Sequence, residues 1–70
     1  MSEIRAIHKV YLTKPNPALV KSIKSMYPTA IIDSNDILIV GNFTKSEILK
    51  IAQRDDIAII EQTQYVEGFD

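Results

Sequence analysis

Apolar and polar positions change period several times along the chain, and each change marks an element. Ile4 to Leu12, with Ile7, Val10, Tyr11 and Leu12, reads as a strand. Thr13-Lys14-Pro15 is a loop, and Asn16-Pro17 is a helix start, because Asn caps free N–H groups and Pro is tolerated in the first turn. Leu19, Val20, Ile23, Met26 and Tyr27 then recur at helical spacing on one face, until Pro28 stops the helix. Thr29 to Ile32 is a short strand. Asp33-Ser34-Asn35-Asp36 is a turn, since these side chains bond nearby backbone groups, and Asp36 to Val40 is the next strand. Thr44-Lys45-Ser46-Glu47 is a capping box, opening a helix whose apolar surface is Ile48, Leu49, Ile51 and Ala52. Arg54-Asp55-Asp56 ends that helix in a solvated turn. Ile57 to Thr63 is the last strand, and Gln64 to Asp70 is a tail.

The order β-α-β-β-α-β, with right-handed crossovers, puts both helices on one face of a four-stranded antiparallel sheet. The expected fold is an α+β, ferredoxin-like sandwich: a single domain over residues 1–63, followed by an extended C-terminal tail over 64–70. No element remains to cover the second sheet face, which must meet solvent or a partner.

Composition narrows the chemistry. Seventy residues make one small domain with a limited core. The chain has no cysteine, hence no disulfide and no thiolate metal site, and its one histidine excludes a multi-histidine site within the chain. Charges of both signs are interspersed with a net of −1, so no basic stripe invites a nucleic acid. Ile37-Leu38-Ile39-Val40, the longest apolar run, is too short to span a bilayer, and MSEIRAIHK has no apolar leader-like stretch. Met1 reads as the start of a free-standing product, and the expected location is the cytoplasm with no membrane partner.

Candidate chemistry is sparse. His8 sits within a strand and reads as a surface or edge histidine rather than a catalytic base, since no nucleophile motif accompanies it. Ser22, Ser25, Ser34 and Ser46 lack a nucleophile context, so no enzyme activity is expected. Asp33, Asn35 and Asp36 are too few and too closely spaced for a calcium loop. Leu38-Ile39-Val40-Gly41-Asn42-Phe43 looks like the first strand of an RNA-recognition motif, but the basic-aromatic strand such a module needs is missing. The segment reads instead as a core strand meeting a helix, with Gly41 permitting a bend. No metal or cofactor is expected.

From Phe43 onward the chain resembles the subtilisin propeptide family, whose members chaperone and inhibit subtilisin-like serine proteases. Family members read like L-x-x-x-x-V-x-x-L-x-x-x-x-x-V-A-x-V-E-x-D; here Phe43, Ile48, Ile51, Ile57, Ala58, Ile60 and Glu61 take those places. Thr63 replaces the final acid, and Asp55 stands where a proline is usual. Before Phe43 only the βαβ pattern matches. Counting Ile57 as the first, family tails reach the scissile position thirteen residues in, which is Phe69. Val66-Glu67-Gly68-Phe69 resembles what subtilisins prefer: a large apolar residue there, a small one before it, and an apolar one three positions before.

The resemblance implies a non-enzymatic inhibitor, or folding chaperone, of a subtilisin-like serine protease. The open sheet face would dock on the enzyme, Glu61 and Thr63 would accept from helix N-termini, and Val66, Glu67, Gly68 and Phe69 would occupy the substrate cleft. Phe69 would fill the primary specificity pocket, Val66 the distal one, and Gly68 would allow close approach to the catalytic histidine. A different reading of the same fold is an interaction or assembly module whose open face binds an unrelated protein or a second copy. Small-molecule regulation at a dimer interface has less behind it, since no Gly-rich ligand loop is visible.

Overall fold

The computed structural model describes residues 3–63, so the tail at 64–70 lies outside it. Six elements follow in chain order: β1 (Arg5–Leu12), α1 (Pro17–Met26), β2 (Ile31–Ile32), β3 (Leu38–Thr44), α2 (Lys45–Ala52) and β4 (Ile57–Thr63). The strands form one antiparallel sheet in the order β2-β3-β1-β4, the ferredoxin-like topology expected from the sequence.

Both helices form for the reasons their first residues suggest. The Asn16 side chain accepts from the Leu19 N–H at 3.1 Å, with Pro17 opening the helix behind it. At α2 the Thr44 hydroxyl accepts from the Glu47 N–H at 3.2 Å, while the Glu47 carboxylate accepts from the Thr44 N–H at 2.8 Å. Glu47 also takes the Arg5 guanidinium at 2.9 Å, tying the start of β1 to the start of α2. Helix α1 ends at Tyr27, which leaves the helical region just before Pro28, as steric clash with the proline ring requires. Lys24 then bonds the Ala30 carbonyl from the last turn.

Strand parity divides the molecule. Val10 and Leu12 of β1, Ile39 and Phe43 of β3, and Ile60 of β4 face the helices. They pack against Leu19, Val20 and Ile23 of α1 and against the half-buried Ile48 and Ile51 of α2. Phe43, Ile39 and Val10 are the largest fully buried side chains. Phe43 meets the edge of Tyr27, with ring centroids 4.9 Å apart.

The structure corrects several boundaries and orientations. Met26 and Leu49 are 64% and 56% exposed, and Ala52 is exposed, so the apolar stripe of each helix is narrower than its sequence suggests. β2 keeps only Ile31 and Ile32, because Ala30 still belongs to the turn closed by its N–H bond to the Tyr27 carbonyl. β3 does not bend at Gly41 but continues to Thr44, paired with β1 along its whole length. A Cβ on Gly41 would lie 2.8 Å from the Phe43 ring, so its lack of a side chain makes room for that ring. Asp56 is not simply solvated: it pairs with Arg54 at 2.9 Å and accepts from the Asn16 side chain at 3.2 Å, joining the end of α2 to the start of α1.

Candidate functional site

Among the described residues no element covers the second sheet face, which is built from the other strand parity. It presents Ile7, Lys9 and Tyr11 of β1, Ile31 of β2, Leu38, Val40 and Asn42 of β3, and Ile59, Glu61 and Thr63 of β4. Six of these ten are apolar or aromatic: Leu38, Tyr11 and Ile59 form one cross-strand row and Ile31 and Val40 a shorter one, while Ile7 lies between Asn42 and Thr63. Ile31 and Ile59, 47% and 58% exposed, stand at its two edges. Val40 is buried on this face, between Ile31 on one side and Lys9 on the other. Four strands set about 4.8 Å apart make the surface roughly 14 Å across, and apolar area of this kind is where soluble domains meet partners.

Glu61 lies directly opposite Lys9, and Thr63 opposite Ile7. The two sequence-predicted contact residues of β4 therefore share the open face, one exposed and one half-buried. Val66, Glu67, Gly68 and Phe69 lie outside the described residues. Among the described strands β4 lies at the edge, hydrogen-bonded to β1.

His8 is a correction. It is only 7% exposed, in a strand with neighbours on both sides, and its parity is that of Val10. Its Nδ1 lies 2.8 Å from the Ala6 carbonyl oxygen; that oxygen can only accept, so Nδ1 carries the proton. The ring lies 6.3 Å from the Phe43 ring. It forms part of a cleft of about 430 Å³ with Ile4, Ala6, Phe43, Lys45, Ile48, Leu49 and Gln62. Nothing in the residue type signals this burial, and with apolar residues at both parities of β1 the spacing does not assign His8 a side.

The turn carboxylates are committed to the backbone. Asp33 Oδ1 accepts from the Ile37 and Leu38 N–H groups, each at 2.8 Å, and Oδ2 from the Asn35 N–H at 3.3 Å. These bonds, Ile37 foremost, hold the Asp33 carboxyl below the usual carboxylate range. The Thr44 N–H, then the Arg5 guanidinium, do the same for Glu47. Burial, reinforced by the nearby Glu47 carboxylate, pushes the Tyr27 hydroxyl up. Among the described residues no group of three or more His, Cys, Asp or Glu is placed to hold a metal ion, and no helix is long and apolar enough to cross a membrane.

No protein-family profile matches the chain, and neither curated proteins nor solved structures give a match.

Proposed function

We propose that this chain is a non-enzymatic inhibitor, or folding chaperone, of a subtilisin-like serine protease. The observation that supports the reading is the placement of Glu61 and Thr63 on a partly apolar sheet face that no described element covers, on the strand whose sequence leads on to Val66-Glu67-Gly68-Phe69. A carboxylate exposed on such a face suits the free N–H groups at a helix N-terminus, where the helix dipole favours an anion. Thr63 offers a weaker, neutral acceptor beside it.

In this mechanism the apolar rows bury against the enzyme surface, while the tail pairs its backbone with strands lining the substrate cleft. Phe69 enters the primary pocket, Val66 the distal one, and Gly68 lets the backbone pass close to the catalytic histidine. The protein supplies no reacting group; it competes with substrate.

An inhibition assay against a panel of subtilisins, with a variant lacking residues 66–70 alongside, tests the proposal. Wild type is expected to inhibit at least one enzyme in the panel and the truncated chain to lose most of that inhibition. Equal inhibition by both chains, or none by wild type, rejects it. The assembly-module reading then takes over, and Ile59→Lys on the open face would disrupt self-association or partner binding.

A further inference from the structure

A groove between α1 and α2, on the helix side of the sheet, plays no part in the inhibitor reading. Its apolar lining is Leu19, Ile23 and Met26 from α1 and Ile51 from α2. Leu19 and Ile23 are buried, Ile51 is half-buried and Met26 stands exposed. Five polar side chains share the lining: Ser22, Tyr27, Glu47, Lys50 and Arg54. Ser22 and Tyr27 are neutral. Of the charged groups, Glu47 is matched by the Arg5 guanidinium and also accepts from the Thr44 N–H, with the Tyr27 hydroxyl beside it. Arg54 is matched by Asp56, which it meets through Nε and Nη2 at 2.9 Å each. Lys50 has no such partner: its ammonium makes no hydrogen bond or ion pair to a described residue. The groove is therefore an apolar trough with one unmatched charge, and that charge is positive.

We infer that this groove binds a medium-chain fatty acid, its alkyl tail on the apolar lining and its carboxylate at Lys50. Size favours a small molecule over a protein. The groove, about 280 Å³, lies at the small end of ligand pockets, roughly 300–1,000 Å³. A folded partner would need about 800 Å² of contact on each side, which one such trough does not supply. Charge selects the headgroup. An anion gives Lys50 its missing partner, whereas an ammonium would face a like charge at the apolar lining. Ser22 adds a hydroxyl donor from the other helix. The unbranched Met26 thioether can reshape around a flexible chain, as methionines do at adaptable binding surfaces. The site depends neither on the open sheet face nor on protease binding.

Met26 lines the groove and the chain has only two methionines, so the test is NMR of the full chain with labelled methionine methyl groups, without any protease. Titration with octanoate is expected to shift the Met26 methyl saturably. Butyrate, four methylenes shorter, is expected to bind at least about ten-fold more weakly, because less of it is buried. Lys50 is exposed, so Lys50→Gln is expected to fold as wild type does. That variant should weaken octanoate about five-fold, the size of a surface ion pair, and leave the binding of uncharged octan-1-ol unchanged. No saturable response of Met26 to octanoate overturns the inference, as does butyrate binding as tightly as octanoate. A Lys50→Gln chain that binds octanoate as tightly as wild type, or that loses octanoate and octan-1-ol equally, also overturns it.

Discussion

Gly41 and Thr44 show how single residues set this fold. Gly41→Ala must push the Phe43 ring, which is fully buried and braced by Tyr27, so the ring has nowhere cheap to go. The expected cost is about 1–3 kcal/mol, typical of overpacking a tight core, read as a lower denaturation midpoint with the m-value unchanged. Thr44→Ala removes one half of the reciprocal cap and is expected to cost about 0.5–2 kcal/mol by the same measurement. An unchanged midpoint would mean that the Glu47 carboxylate alone suffices to hold the helix start. Both figures are large for a small domain.

At the scale of elements, acid sensitivity follows from the caps and turns. Asp33 orders the turn before β3, and Glu47 joins β1 to α2; both carboxyls sit below their ordinary range in the folded chain. A depressed folded value means that each contributes stability above the unfolded pKa. The contribution is lost as pH falls through the lower folded value. Stability is therefore expected to decline below about pH 4, the unfolded carboxylate range. Asp33→Asn is expected to flatten that decline in urea midpoints measured across pH, and an equally steep profile would show that Asp33 takes no part.

The same scale shows what the sequence could reveal. Asn16, Thr44 and Asp33 declared themselves, because capping and turn chemistry is local and depends on residue type. The course of β3 did not: Gly41-Asn42 resembles a break, and only the Phe43 ring lying over Gly41 explains why the strand runs on. In β1, Ile7 and Tyr11 cannot be separated from Val10 and Leu12 by hydrophobicity. Both sheet faces are apolar there, and the period-2 signal vanishes. His8 was misplaced for a related reason, since its burial is a matter of parity rather than of type. The open face was foreseeable from topology, whereas its apolar character emerges only once register assigns each residue a side.

For the whole molecule, core and tail are separable by mutation. Phe69→Asp is expected to abolish most inhibition of a responsive subtilisin while leaving the thermal midpoint unchanged, since an acid in an apolar specificity pocket is unpaired. Ile39→Asp, in the buried centre of the sheet, is expected to unfold the domain and lose inhibition only as a consequence. Measuring inhibition and unfolding on both variants separates the two effects; a Phe69→Asp chain that inhibits like wild type removes the tail from the mechanism.

The burial pattern of β4 carries a mechanical consequence. None of its residues is fully buried, and among the described strands it leans on one neighbour, whereas β1 and β3 hold the sealed centre. Local opening is cheapest where few apolar contacts must be broken. The strand bearing Glu61 and Thr63 is thus a compliant margin on a stiff plate. It is expected to open before Val10, Ile39 and Phe43 lose their burial behind it, which amide hydrogen exchange would read as faster exchange in β4 than in β1.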